Sequence, residues 1–334
     1  MDKKDVLKKN SIAVITVCRN EDKYIEPFIK SVLASTVPVD LILVDNNSDV
    51  ASKLMLEAFS RDAIILWQEK NLGFGIANNV GIKYAIDHGA EYLFLLNMDM
   101  LIEPDTIETL LKISQRNPDF SLISPMCFNF EKNALEQMFF ESLTNKNLQY
   151  DFDARLFFSE AYFQKRFSKE LYESTYINAA HWFMPIETIK QVGGFNPVFY
   201  PIYAEDAEFL NRLGKRNFKV GFTPSARVFH DTEKRAKASV LDDSHSICIC
   251  SYLEILKSKY WQTYYFFLIL FLLRILKYLF LFKREGIKSR FLGMKAFLRW
   301  RKILRQTWLA NHKKESIGLF CDIPQKYIPP YIKH

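Results

Sequence analysis

Apolar positions in the first hundred residues follow a repeating strand-then-helix rhythm. Residues 11–17 (Ser-Ile-Ala-Val-Ile-Thr-Val) form a continuous, mostly β-branched run, the pattern of a strand buried on both faces. The run ends in Cys18-Arg19-Asn20-Glu21, and helical spacing follows at Ile25, Phe28, Ile29, Val32 and Leu33. Residues 40–45 predict a second strand, which enters the polar turn Asn46-Asn47-Ser48-Asp49. A helix over 51–59 and a third strand over 63–67 come next. The cluster Asn71-Leu-Gly73-Phe-Gly75-Ile-Ala-Asn78-Asn79-Val-Gly81 leads into a helix through Ile86, and residues 92–96 are a fourth strand ending in Asn97-Met98-Asp99. Pro104 suits the opening of a further helix. This alternation predicts right-handed βαβ units around a parallel sheet, with ligands beyond the carboxyl ends of its strands.

Beyond this the pattern loosens. Residues 127–176 are rich in Phe and charge and predict no regular element. Gly193-Gly194-Phe195-Asn196-Pro197 is a turn, Ala204-Glu205-Asp206 opens a helix, and 219–222 and 226–230 read as two short extended segments. From Tyr260 onward the chain changes character, with an apolar stretch over 261–282 interrupted by Arg274 and Lys277. The organisation expected is a catalytic α/β domain over 1–240 and a helical, basic extension over 241–334.

Charge sharpens that division. Seventeen Lys and Arg stand against three acids from Lys257 to the end, whereas the first 256 residues carry a net charge of −7. A basic, apolar tail on an acidic body points to an anionic partner, and the interleaving of bases with a long apolar run favours lipid over nucleic acid. The five cysteines offer only a C-x-C pair at Cys248 and Cys250, too little for a zinc site, and fit a reducing compartment. Residues 1–10 are polar, so no secretory signal is expected.

Several side chains are candidates for chemistry. Asp45, at a strand end, suits either a helix cap or a nucleotide base or ribose. Gly73 and Gly75 permit close backbone approach to an anion at a helix N-terminus, or simply a tight turn. Asp99 can reach a hard divalent cation, or cap a turn. Glu205-Asp206 offers a general base, or acids favourable at a helix start. His230 suits a transition ion.

In order, these segments resemble the inverting family 2 glycosyltransferases, and within them the rhamnosyltransferase-like branch. The resemblance rests on Thr16-Val-Cys-Arg-Asn20-Glu21, Val44-Asp45-Asn-Asn-Ser48, the Asn71–Gly81 cluster, Leu95-Leu-Asn97-Met-Asp99, Gly193-Gly-Phe-Asn-Pro with Tyr203-Ala-Glu205-Asp206, and His230. It implies a GT-A fold, a Rossmann-like, mostly parallel sheet flanked by helices. It also implies a nucleotide-sugar donor bound by Thr16, Asn20, Glu21, Asp45, Asn71, Gly73, Asn78, Asn97 and Asp99. A divalent metal, Mn2+ or Mg2+, is implied at Asp99 and His230. The family's D-x-D motif stands here as Asn97-Met98-Asp99, without its first carboxylate. Asp206 matches the base, Glu205 orients base or acceptor, and His181 and Trp182 are expected near the acceptor. The reaction implied is sugar transfer to a glycan or lipid-linked glycan in surface polysaccharide synthesis. A catalytically degenerate scaffold subunit is the alternative that Asn97 suggests.

At 100° per residue, Thr263, Arg274, Lys277 and Arg284 share one narrow sector of a helix over 261–282. That stripe predicts a helix lying in the membrane interface, with Trp261, Tyr264, Tyr265 and Tyr278 at headgroup depth and the 288–305 stretch on anionic lipid. The expected location is the cytoplasmic face of the cell membrane, peripherally bound through 260–305. Burial against the catalytic domain or in an interface with a second copy of the chain, or a true span, are the other fates of this helix.

Overall fold

The computed structural model describes residues 12–143, 167, 169–201, 203–231, 243–282 and 284–329. The first half follows the predicted rhythm: β1 (Ile12–Cys18), α1 (Asp22–Leu33), β2 (Val39–Asp45), α2 (Val50–Ala58), β3 (Ile64–Trp67), α3 (Gly73–Asp87) and β4 (Tyr92–Leu96). β1 pairs in parallel with both β2 and β4, and β2 with β3. Ile12, Ala13, Val14 and Ile15 are all but fully buried, which is why this strand lacks polar alternation. Asp49 caps α2, its Oδ1 accepting from the Ser52 N–H at 2.9 Å.

The second half turns the sheet mixed. It adds β5 (Met100–Ile102), α4 (Thr106–Arg116), β6 (Phe120–Asn129), α5 (Gln137–Leu143), β7 (Tyr172–Glu173), β8 (His181–Pro185), α6 (Ile186–Val192), α7 (Glu205–Lys215) and β9 (Lys219–His230). The strand order is β3-β2-β1-β4-β8-β6-β9-β5, with β7 also on β9. β8 runs antiparallel to β4 and β6, so the parallel character predicted from the first four strands is interrupted there and resumes between β6 and β9. The two short segments expected over 219–230 are one strand. Its pairing with β6 jumps from Pro125↔Thr223 to Met126↔Arg227. Pro224 in the jump has no N–H for a ladder, so the strand bulges instead of ending. Of the irregular stretch 127–176, residues 144–166 and 168 lie outside the described residues.

Three helices follow: α8 (Asp243–Lys257), α9 (Tyr260–Phe280) and α10 (Arg284–Lys313). They pack together through Tyr252, Tyr264 and Phe271 against Phe297, with Trp300 and Leu304 also buried. The chain then returns to the sheet. Gly194 donates its N–H to Gly318 O at 3.0 Å, and Asn79 donates Nδ2–H to Phe320 O at 2.9 Å.

The tail departs from expectation in two ways. α9 ends at Phe280 and Arg284 opens α10, so the polar stripe on α9 loses that member. Tyr264 is 3% exposed, stacked on Tyr260 and Phe297, and not at a lipid surface. Trp261 and Tyr265 remain exposed.

Candidate active site

The strand order reverses direction between β1 and β4, and crevices at such points receive ligands in open α/β sheets. Asp45 ends β2, fully buried. Its Oδ1 accepts from the Ser48 N–H at 3.1 Å, while Oδ2 has no hydrogen-bond partner among the described residues, with Lys53 Nζ 4.0 Å away. Thr16 Oγ1, Glu21 Oε2 and Asp99 Oδ1 are likewise buried without a partner among the described residues. Orphaned buried polar atoms are rare because each forfeits its hydration, and several around one crevice mark a place where a ligand completes them. Glu21 and Asp99 are close enough to repel each other. Burial first, and Asp99 second, push the Glu21 acid up to about 8.

Other predicted donor residues shape the loops. Asn20 sits at φ 57° and its Oδ1 accepts from the Asp49 N–H at 2.8 Å. Asn71 Oδ1 accepts from Asn46 Nδ2 at 3.0 Å and from the Gly73 N–H at 2.8 Å. Asn78 is buried and donates Nδ2–H to Phe74 O at 3.0 Å. Gly73 has φ +72°, and a Cβ there meets Pro201 O at 2.3 Å, so the cluster's first glycine lets the 200–201 loop close on α3. Asn97 donates its backbone N–H to Ala180 O at 2.9 Å, which ties the Asn97-Met98-Asp99 turn to the loop before β8.

Asp99 meets His230 because β5 and β9 pair antiparallel with Met100 opposite His230. His230 is fully buried, with Nε2 3.1 Å from Asp99 Oδ2, yet neither ring nitrogen has hydrogen-bond geometry to a partner among the described residues. Neighbouring ligands on an octahedral ion bound at about 2.1 Å stand roughly 3 Å apart, so this pair fits a small divalent cation. Behind the ring, Cys127, Glu136 and His230 bring ligand atoms within 4.8 Å of one another. Glu136 Oε2 accepts from the Phe139 N–H at 2.7 Å.

Glu205 and Asp206 open α7 after Tyr203 and Ala204, two non-glycine residues at φ 83° and 68°. Backbone held in this region costs energy and recurs at functional sites. The Glu205 Cβ lies 3.8 Å from where a Cβ would sit on Gly75, so the acids stand beside the Gly-Asn cluster. Burial pushes Glu205 up to about 8, and burial also raises Asp206, against hydrogen bonds from Tyr176 and Ala207 that lower it.

One expectation fails on burial. His181 and Trp182 are fully buried and present no surface to an acceptor. Trp182 is packed against Phe195 and Phe209 and donates Nε1–H to Ile177 O, and His181 Nδ1 lies 2.7 Å from Ser124 Oγ. Burial, with His230 adding to it, lowers His181 to about 3, so its ring is neutral. Sequence reasoning missed Tyr176, Asn178, Asn79, Arg212 and Glu136. Asn178 Oδ1 is another buried orphan among the described residues. Arg212, fully buried, pairs with Glu208 and donates to the carbonyls of Val192 and Gly194, pinning α7 to the Gly193-Gly194 turn.

The sequence model described as Glycosyl transferase family 2 matches residues 13–184. The chain belongs to glycosyl transferase family 2. As a member it is a glycosyltransferase, and its relatives agree. Two Mycobacterium tuberculosis proteins named N-acetylglucosaminyl-diphospho-decaprenol L-rhamnosyltransferase are 26% identical over 234 residues, 66% of this chain and 75% of theirs. A Haloferax volcanii hexosyltransferase of low-salt glycan biosynthesis is 27% identical over 195 residues, 58% of this chain and 59% of its own. Among solved structures, GalNAc-T7 with UDP, GalNAc and Mn2+ aligns at TM-score 0.55 and 14% identity, over 78% of this chain and 49% of that one. S. aureus TarS 1-349 in complex with UDP aligns at TM-score 0.52 and 14% identity, over 93% and 89%. These likenesses identify this family 2 chain's fold as GT-A.

Proposed function

We propose that this glycosyltransferase transfers a hexose or deoxyhexose, with inversion, from a nucleoside diphosphate sugar to a glycan or lipid-linked glycan, at the cytoplasmic membrane surface. The observation that carries this reading is the row of buried, partnerless polar atoms (Thr16 Oγ1, Asp45 Oδ2, Asp99 Oδ1) at the carboxyl ends of the parallel strands. Asp45 and Thr16 suit the nucleoside, and Asp99 with His230 would hold a divalent cation at the diphosphate. When bound, that cation neutralises charge gathering on the departing diphosphate.

Inversion needs an acceptor hydroxyl to attack the anomeric carbon from the face opposite the leaving group. Asp206 takes the hydroxyl proton as the oxygen bonds to that carbon, and the carbon–oxygen bond to the diphosphate breaks with its electron pair. The rhamnosyltransferase name of the mycobacterial relatives and their diphospho-decaprenol acceptor support a lipid-linked acceptor for this chain. The apolar, basic tail agrees with an acceptor held at a membrane.

The test is Asp206→Asn, assayed by product-nucleotide release across a panel of donors. Transfer is expected to fall at least about a hundredfold, the scale of a lost general base, with donor binding by calorimetry unchanged. Full transfer in that variant removes Asp206 as base. Chelation should abolish turnover and weaken donor binding, and turnover indifferent to chelator removes the cation from the reading.

A further inference from the structure

The loop before β8 carries Tyr176, which no sequence motif singled out. Its hydroxyl donates to Asp206 Oδ2 at 2.6 Å, while Asp206 Oδ1 accepts from the Ala207 N–H at 2.7 Å. Each carboxylate oxygen is thus held by one donor, and the plane of the carboxyl is fixed from two sides. Each oxygen still has a second lone pair for an incoming hydroxyl. The tyrosine is itself held in place. Ser174 Oγ–H donates to Tyr176 O at 2.8 Å and accepts from the Tyr176 N–H at 3.3 Å. Four residues further on, Ala180 O receives the Asn97 N–H, so a single loop touches both the Asn97-Met98-Asp99 turn and the base.

We infer that Tyr176 is a positioning residue for the transfer reaction: its hydroxyl aims the Asp206 carboxylate at the acceptor and sets the pH at which that carboxylate accepts a proton. The inference rests on Asp206 being the base. Tyr176 neither gains nor loses a proton in the step. The acceptor's proton passes to Asp206, the acceptor oxygen bonds to the anomeric carbon, and the nucleoside diphosphate departs with the electron pair of the broken bond.

The electrostatic surroundings of Asp206 allow this tuning. The groups interacting with it are Tyr176 from the loop, the Ala207 N–H, its own backbone N–H, and Glu205 beside it on α7. Burial raises the Asp206 acid, and the Tyr176 hydrogen bond is the first of the effects that lower it. A hydroxyl donating to the charged form stabilises that form. Without it, the carboxylate holds its proton to higher pH and less of the enzyme is competent at neutrality. Tyr176 also lines a cavity of about 470 Å³ with Ala207, Leu210, Asn211, Lys215 and Lys257.

The experiment compares Tyr176→Phe with the unaltered chain, measuring kcat and donor KM from about pH 5.5 to 9.5. The phenylalanine keeps the ring and removes only the hydroxyl. The acid limb of kcat should move up by about one pH unit, a tenfold loss at its foot that recovers at high pH, with donor KM within about twofold. A uniform loss across the pH range, or a changed donor KM with an unmoved limb, overturns the proposal and leaves Tyr176 a packing residue. Should the phenylalanine variant fail to fold, ring-fluorinated tyrosine at position 176 keeps the hydroxyl and strengthens it as a donor. The limb should then move to lower pH, and an unmoved limb again overturns the inference. Asp206→Asn separates the two levels: retained transfer there defeats the base assignment, whereas lost transfer with an unmoved limb in the Tyr176 variants defeats only the positioning role.

Discussion

Glu205 is 6% exposed, and its Oε2 has no partner among the described residues. Burial, with Asp206 alongside adding to it, lifts its acid from 4.5 to about 8. The folded protein therefore binds this proton more tightly than the unfolded chain does. Over that window the unfolded state carries fewer protons, so stability falls as pH rises from about 4.5 to about 8. The loss is on the order of a few kcal/mol. Thermal melts of the unaltered protein should show Tm declining across this range, and Glu205→Gln should flatten the decline. An equally steep decline in the glutamine variant assigns the pH dependence elsewhere. A hydrogen-bond donor or cation that partners Oε2 favours the carboxylate and should shrink the effect, so the same melts with nucleotide and cation present report whether Glu205 faces the bound substrate.

Among the elements, α3 packs on the sheet through Ile76, Ala77, Ile82 and Ala85, and one side chain ties it to the 195 turn and the returning tail. Asn79 Nδ2 donates to Phe195 O at 2.8 Å and to Phe320 O at 2.9 Å, and Oδ1 accepts from the Phe195 N–H at 2.7 Å. Asn79→Ala strands buried backbone groups of the 195 turn, at a cost of roughly 2–4 kcal/mol. Urea unfolding should show a lower midpoint with an unchanged slope. A midpoint within error of the unaltered protein means water or a neighbouring group replaces the amide.

Asn79 also shows why legibility stops where it does. β1, β2 and β4 were readable because strands buried on both faces write continuous apolar runs, and their chemistry lies in the few residues after each run. Asp45, Asp99 and His230 stand at such strand ends, whereas Asp206 opens a helix after a turn and was expected as the base from the family resemblance. Asn79 looked like one more polar member of the Gly-Asn cluster, since its partners lie 116 and 241 residues away. His181 and Trp182 misled for the opposite reason. They were expected near the acceptor, and long-range packing against Ser124, Phe195 and Phe209 buries them. Tyr176 and Glu136 gave no local signal because they sit outside any periodic segment.

At the scale of the whole molecule, the tail leaves an apolar face uncovered. α9 is, among the described residues, the one helix long and apolar enough to cross a membrane, and only 11% of its most apolar window is buried. Beyond the buried Phe271, its outer half presents Leu272, Leu273, Leu276, Leu279 and Phe280, continued by Leu281 and Phe282. Residues 260–305 hold eleven Lys and Arg against the single acid Glu285. Two copies meeting through this face bring like charges such as Arg274 and Lys277 together, whereas an anionic bilayer satisfies both the apolar surface and the charge. The face lies on a hairpin whose inner half is packed together by Tyr260, Tyr264 and Trp308. Substituting Ile269 and Leu273, each 55% exposed, with Glu should therefore leave the fold intact. Each lost apolar contact and added repulsion removes roughly 1.5 kcal/mol or more of lipid affinity, so the double variant should bind phosphatidylglycerol vesicles at least about a hundredfold more weakly in flotation. Raised salt should weaken the unaltered protein's binding without abolishing it, because screening removes the charge term and leaves the apolar one. Turnover on a water-soluble acceptor should stay the same in the double variant. Flotation unchanged by the substitutions, or a salt-insensitive dimer in their place, moves this face from the bilayer to a second copy of the chain.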